Sequence, residues 1–398
     1  MNVTAIIAEY NPCHKGHIYH IQKTRELTKP DCVIVVMSGN YVQRGIPAIF
    51  DKYTRAHSAI LAGADLVLEL PVIYSTASAE FFAENSVIIL KNLGNVSNLS
   101  FGMENNDTKI LSEIADILIN EPDNFREMLK KYVREGNSVA AARAKAISVI
   151  DKRAEQILSS PNNILAIEYI KAIKKNNAKI TPYGIKRIGN GYNDPVATTE
   201  YPSATAIRNM YYNNELDVVK SGMSDDIFNY IKDKKTLAEN DFNIVLNQAL
   251  LKNAGNFDCF LDVDEKIANR IDNMMKKGIF YNYNDLAMLL KTRNYTYTRI
   301  CRILSQIMLG IGKDDMTEPS YCRVLAFNDA GSRYIKETKK SGNNMLFTDI
   351  NQIKNTLSGK ALRSLEKDIY TSDIYRMIMH EKYGIIIPDE FRHKPEIL

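Results

Sequence analysis

Short apolar runs separated by helix-length segments dominate the first part of the chain, at residues 3–7, 32–37 and 66–70, and each is closed by proline or by a glycine-containing turn. Runs of five or six residues rich in Val and Ile are too short for core helices and too uniformly apolar for half-exposed strands. They predict strands of a parallel sheet covered on both faces. Helices are expected at 17–28, 52–62 and 77–91, a fourth strand at 98–101 and a fifth at 179–188. That alternation predicts an α/β fold with right-handed crossovers and a Rossmann-like, doubly wound parallel sheet. Between the fourth and fifth strands the spacing is helical, at 109–119, 122–135, 138–158 and 164–175, with Ser159-Ser160-Pro161-Asn162-Asn163 as a break in which either asparagine can cap a helix or meet a ligand.

Sheets of this kind bind ligands beyond the carboxyl ends of their strands, where the next helix points free N–H groups outward. The first such turn carries His14-Lys15-Gly16-His17, and four of the six histidines, His14, His17, His20 and His57, fall in the first 57 residues. Pro12 disfavours helical geometry at Asn11 and ends the strand, while Gly16 allows a ligand close to the backbone. Two ring N–H groups aimed at one anion would stabilise charge on a transferring phosphoryl group; a metal pair or a capping histidine without chemistry is the plainer alternative. Cys13 beside them reads as a small buried hydrophobe rather than a nucleophile. A second anion-binding pattern, Ser203-Ala204-Thr205-Ala206-Ile207-Arg208, opens a later helix with a capping serine, a second hydroxyl and an arginine one turn on. Arg44, in the loop after the second strand, is placed to meet phosphate or nucleic acid, and Gly102, ending the fourth strand, could admit a base or ribose.

A length of 398 residues favours two or three domains. Strand–helix alternation fades near Lys235, so a catalytic domain is expected over 1–235 and a mainly helical domain over 236–398. The net charge of +4 is split evenly about that point, so nucleic-acid binding must come from a local patch. The stretch 291–302 interleaves Lys291, Arg293, Arg299 and Arg302 with Tyr295 and Tyr297, and residues 291–313 hold five Lys or Arg and no acid. That pattern suits phosphates together with unpaired bases. Five cysteines without a C-x-x-C pair argue against a disulfide framework or structural zinc, and no protein-held metal is expected. No run has transmembrane length and no signal peptide is evident, so a cytoplasmic protein without membrane contact is expected. No obligate protein partner is evident.

H-x-G-H at the first turn together with S-x-T-x-I-R at a late helix, about 190 residues on, resembles the nucleotidylyltransferase superfamily, in which both elements bind the triphosphate of ATP. The stretches 9–17, 37–45 (M-S-G-N-Y-V-Q-R-G), 63–71, 161–165 (P-N-N-I-L) and 291–302 further resemble the bacterial tRNA(Met) cytidine acetate ligase family. That resemblance spans nearly the whole chain, loosening after about Gly310. It implies ATP as co-substrate, with Mg²⁺ accompanying it, and acetate activated as acetyl-AMP. The acetyl group then passes to N4 of the wobble cytidine in the anticodon of elongator tRNA(Met). It implies ATP contacts at Ile7, Ala8, Glu9, Tyr10, Asn11, Pro12, Cys13, His14, Lys15, Gly16, His17, Ile18, Tyr19, His20, Gly102, Asn162, Asn163, Arg187 and Ile188. His14, His17, Ser203, Thr205 and Arg208 would stabilise the reacting phosphate; Arg44, Lys291, Arg293, Tyr295, Tyr297, Arg299 and Arg302 would contact tRNA. The competing readings are a nucleotidylyltransferase for a small phosphorylated substrate, such as nicotinamide mononucleotide or phosphopantetheine, and an RNA-binding protein with a vestigial nucleotide site.

Overall fold

The computed structural model describes residues 1–105, 107–188, 202–278 and 280–398. In chain order the strands are β1 (Val3–Ala8), β2 (Cys32–Ser38), the hairpin arms β3 (Tyr41–Val42) and β4 (Ile46–Pro47), β5 (Leu66–Leu70), β6 (Asn98–Met103), β7 (Thr181–Lys186), β8 (Cys322–Phe327), β9 (Leu346–Phe347) and β10 (Glu396–Ile397). Apart from the hairpin they form an eight-stranded sheet in the order β10-β8-β5-β2-β1-β6-β7, with β9 beside β8. Among the described residues every pairing in it is parallel except β5 with β8. The chain runs outward from β1 to β2 and β5, then returns to place β6 and β7 on the other side of β1. This reversal opens a crevice between β1 and β6, the place where a doubly wound sheet receives its ligand.

Period-two alternation explains how the sheet is covered. On β2, Cys32, Ile34 and Val36 join one core with Leu68, Leu99, Leu304 and Ile307, while Val33, Val35 and Met37 join a second core with Ile207, Met210 and Leu325. Each such side chain, removed from water, contributes about 1.5–3 kcal/mol. The covering helices of the first part are α1 (Lys15–Thr28), α2 (Lys52–Leu61), α3 (Val72–Ser75), α4 (Ala79–Leu93), α5 (Thr108–Asn120), α6 (Asp123–Arg134), α7 (Val139–Ile150), α8 (Arg153–Ile157) and α9 (Pro161–Lys175). The single helix expected over 138–158 is therefore two. Asp151 adopts an extended conformation between them, and its carboxylate accepts the Arg153 N–H at 2.9 Å, an alternative to the helical ladder that short acidic side chains offer.

Beyond residue 202 come α10 (Ala204–Tyr212), α11 (Leu216–Ser221), α12 (Asp225–Ile231), α13 (Asn243–Lys252), α14 (Glu265–Met275), α15 (Tyr283–Leu290), α16 (Tyr297–Leu309), α17 (Asp329–Lys340), α18 (Ile350–Thr356) and α19 (Gly359–Tyr383). This part is mainly helical, as expected, yet residue 235 bounds neither the sheet nor the core. Strands β8, β9 and β10 extend the first-half sheet, and one apolar cluster runs from Val3 to Met379. The strand β8 was hidden in the sequence because it carries Arg323, a residue that argues against a buried strand until its partner is known. Arg323 pairs with Glu390, which also takes Lys52 Nζ at 3.1 Å and the Tyr53 hydroxyl at 3.0 Å. Lys52 in turn meets Glu69 at 2.6 Å. Burial pulls the Lys52 ammonium down to about 8 even though Glu69 pushes the other way. Among the described residues no helix is long and apolar enough to cross a membrane.

The hairpin is clamped onto the helical part by a contact that admits only glycine. Gly45 has φ +75°, and a Cβ there would lie 2.3 Å from the Arg302 amide nitrogen and 2.4 Å from the Cys301 carbonyl carbon, within α16. Gly45→Ala is expected to lower stability by about 2–3 kcal/mol, from overpacking and unfavourable φ together. Thermal unfolding would register this as a lower midpoint; an unchanged midpoint would mean that hairpin and helix separate at no cost.

Candidate functional site

The turn after β1 is built around two imidazoles that cap the helix they introduce. His14 is the N-cap of α1: its Nδ1 accepts the Gly16 N–H at 3.0 Å, while His17 Nδ1 accepts the His14 N–H at 3.2 Å. The ring centroids lie 3.8 Å apart, tilted by 36°. Because both Nδ1 atoms accept, the hydrogen-bond pattern assigns each neutral ring its proton at Nε2, the edge away from the backbone. The capping role and the donor role are thus one arrangement. Gly16 has a second reason beside its place at the ligand crevice: a Cβ would come within 2.8 Å of His14 Cε1 and displace the capping ring.

The rings are neutral at physiological pH. Burial, then Arg187 and Arg208, pull His14 down to about 3. Burial, His14, Arg187 and His20 hold His17 well below its ordinary value, and burial with Arg187 brings His20 to about 4. Such groups act as N–H donors rather than as acids. Cys13 is sealed at 1% exposure with its thiol pushed up to about 12 by burial, which removes it as a nucleophile.

The later helix meets this turn. Arg208 Nη1 donates to the Asn11 carbonyl at 2.7 Å across 197 residues of sequence, and its Nη2 donates to Thr205 Oγ1 at 3.2 Å. Ser203 caps α10, its Oγ accepting the Ala206 N–H at 3.1 Å. Two adjoining chambers open here. The first, about 1050 Å³, is lined by Ile7, Ala8, Glu9, Tyr10, Asn11, Gln43, Arg44, Phe82, Phe101, Asn162, Leu165, Tyr169, Ser203, Ala204, Thr205 and Arg208. The second, about 470 Å³, adds Gly16, Tyr19, Ile185, Lys186, Ile188 and Pro202. Both share His14, His17, His20, Gly102 and Arg187.

Of the residues expected at a nucleotide, Pro12, Cys13, Lys15, Ile18 and Asn163 line neither chamber. Lys15 gives its backbone N–H to Gly222 at 2.9 Å. Asn163 is spent as a bracket, accepting the Glu104 and Asn105 amides at 2.9 and 3.3 Å and donating to Ile157 at 3.1 Å. Its neighbour Asn162 does reach the first chamber and donates to Glu104 Oε1 at 2.7 Å; the same oxygen lies 3.3 Å from Arg187 Nε. Arg44, expected at RNA, lines the first chamber. Phe82, Leu165 and Tyr169 were not expected there, because apolar residues on α4 and α9 carry the helical spacing of core positions. Gln43 had only its place in the loop before Gly45 to mark it.

The basic aromatic stretch lies elsewhere, at the start of α16. Lys291 and Arg293 are exposed, but the acids absent from 291–313 are supplied across the fold. Arg299 meets Asp264 at 3.3 Å, Arg302 meets Asp262 at 3.1 Å, and the Tyr295 hydroxyl donates to Asp264. Arg299 also stacks over the Tyr295 ring at 4.8 Å, and Tyr297 donates to Asn284 at 3.1 Å.

Comparison with known proteins agrees with this geometry. The sequence model of the HIGH Nucleotidyl Transferase family matches residues 1–385. The tRNA(Met) cytidine acetate ligase of Clostridium novyi (strain NT) is 40% identical over 393 residues, spanning 95% of this chain and 96% of that protein. The protein of the same name from Thermoanaerobacter sp. (strain X514) is 40% identical over 387 residues, 95% of each. Two crystal structures of Thermotoga maritima TmcAL, 28% identical, cover the whole of both chains: the apo form I superposes with a TM-score of 0.92, and form II, bound with alpha-thio ATP, with 0.91.

The depressed histidines make stability depend on pH. A histidine whose folded value lies below its unfolded one binds protons more readily when unfolded, so stability is lost as pH falls from about 6.5 toward the folded value. All three rings line the chambers, but His17 and His20 are only half-buried and water moderates the effect there, so His14, at 5% exposure, is the clearest case. Its share of the loss at pH 5 relative to pH 8 is about 2 kcal/mol. The thermal midpoint should therefore fall over that interval, and fall less in His14→Asn, which preserves a capping side chain. Equal pH dependence in the two proteins would show that His14 protonates without penalty in the folded state.

Proposed function

Since the chain belongs to the HIGH Nucleotidyl Transferase family, and within it to the tRNA(Met) cytidine acetate ligases, we propose that it activates acetate with ATP and acetylates N4 of the wobble cytidine of elongator tRNA(Met). The observation that carries the mechanism is the Arg208 hydrogen bond to Asn11, which puts the S-x-T-x-I-R helix against the H-x-G-H turn at one chamber. In the first step an acetate oxygen attacks the α-phosphorus, the bond to the bridging oxygen breaks, and pyrophosphate leaves with the electron pair. The Nε2–H groups of His14 and His17, the hydroxyls of Ser203 and Thr205, and the Arg208 guanidinium would meet the charge that grows on the phosphates. Neutral imidazoles suit this work, because they donate hydrogen bonds without giving up the proton. Gly102 and the strand end at Ile185, Lys186, Arg187 and Ile188 offer a glycine surface and backbone edge suited to adenosine. In the second step the cytidine amine attacks the acetyl carbon and AMP departs.

The residues suit a Mg²⁺ ion carried by the triphosphate better than one held by the protein. Among the described residues no three His, Cys, Asp or Glu gather at a point, and the chambers offer a single carboxylate, Glu9. Phosphate oxygens and water would complete such an ion's shell. For tRNA, exposed Lys291 and Arg293 are better placed than Arg299 and Arg302, whose charge is already matched by Asp264 and Asp262. A flipped, unpaired anticodon base could enter the first chamber, whose apolar wall of Phe82, Phe101, Leu165 and Tyr169 suits a flat ring. Acting on tRNA would put the protein in the cytoplasm. An enzyme that leaves AMP on a small phosphorylated substrate is disfavoured by the naming of the relatives.

Pyrophosphate–ATP exchange should depend on acetate; exchange driven instead by a phosphorylated small molecule would refute the reading. His14→Ala and His17→Ala should each slow exchange on the order of 10²-fold with tRNA affinity nearly unchanged. The double change Lys291→Ala with Arg293→Ala should weaken tRNA binding roughly tenfold at low salt and leave exchange as it was; tRNA binding that ignores the change would move the RNA surface elsewhere.

A further inference from the structure

Glu9 is out of place in a site made for anions. Among the described residues it is the only carboxylate lining either chamber, where Arg44, Lys186, Arg187 and Arg208 supply the opposite charge. ATP and acetate are both negative, so the acid does not serve them directly; part of its charge answers the buried Arg55 and Arg208 guanidiniums, whose charged forms it favours. Glu9 borders the first chamber and not the second, directly beyond β1. Its Oε1 accepts the Gln43 N–H at 2.9 Å, so the loop between β3 and β4 holds the carboxylate in position. A carboxylate offers about four lone-pair sites, and one amide does not exhaust them. A ligand that takes up the remaining lone pairs must present hydrogen to donate, and must do so beside the apolar side chains of the same chamber. The exocyclic amine of cytosine is such a group, and a carboxylate is its natural acceptor.

Resting on the function proposed above, we propose that Glu9 is a catalytic residue of the second half-reaction. It accepts a hydrogen bond from N4 of the target cytidine, and so excludes uridine, whose O4 has no hydrogen to offer. As the N4–acetyl bond forms, the bond from the acetyl carbon to the AMP oxygen breaks and AMP leaves with that electron pair. The proton released from N4 passes to the Glu9 carboxylate and from there to water.

The test separates the two halves of the reaction in the full chain. Acetate-dependent pyrophosphate exchange reports the first. Single-turnover acetyl transfer from the enzyme–acetyl-AMP complex to a tRNA(Met) transcript reports the second, with a transcript carrying uridine at the wobble position as competitor. In Glu9→Gln, transfer should slow on the order of 10²-fold, at least tenfold more than exchange does. The uridine transcript should also compete better, because an amide N–H can donate to O4. Transfer at the original rate overturns the assignment, as does uridine competition that does not change. Exchange that falls in step with transfer overturns it too, by moving Glu9 to the nucleotide. Absence of acetate-dependent exchange in the unmodified protein is a distinct result: it removes the proposed function, and this inference with it.

Discussion

The reciprocal cap at the start of α1 is the constraint on which the site depends. Two backbone amides that would otherwise be orphaned at a helix terminus are taken by His14 and His17 through Nδ1. That satisfies the helix and, in the same stroke, turns both Nε2–H edges away from it. Burial among Arg187 and Arg208 keeps the rings uncharged. Helix capping, tautomer and charge state therefore follow from one local geometry, and the close approach of the Gly16 backbone to the His14 ring leaves no space for a larger residue.

A second constraint joins distant parts of the chain. The sheet edge beyond β5 is completed by β8, which runs antiparallel to it, and the charges this brings inside are matched by Glu69 and Glu390 around Lys52 and Arg323. Buried ion pairs of this kind add little net stability over apolar packing, but losing one partner costs about 3–5 kcal/mol because the other charge is stranded. The cluster thus acts as a registration device: β8 fits the edge only when the segment around Glu390 also arrives. Asp368 has a related part, accepting the Val72 N–H at 2.7 Å and so anchoring α19 to the start of α3, just past the end of β5.

The parallel strands and the two anion-binding turns were legible in the sequence because their signals are local: β-branched runs, a proline, a glycine between histidines, a serine before a helix. What escaped depended on partners far away in the chain. Arg323 disguised β8 because its partner lies 67 residues later. Arg299 and Arg302 looked like free positive charge because Asp262 and Asp264 fall outside the window that contains them. Phe82, Leu165 and Tyr169 looked like core, and no periodicity distinguishes a side chain that packs against a neighbour from one that packs against a cavity. Asn162 and Asn163 show the limit most sharply: adjacent and identical, one reaches the chamber and the other is consumed by three backbone hydrogen bonds.

Glu390 carries a consequence for how the molecule is made. Arg323 lacks its ion-pair partner, and Lys52 has only Glu69, until that residue has been synthesised, and β10, the outermost strand, follows it. During vectorial synthesis on the ribosome the early strands can pair, but the edge at β5 waits for segments more than 250 residues later. A nascent chain whose sheet edge stays open for that long is a natural client for chaperones, even though the described residues that line the crevice between β1 and β6 are all made earlier.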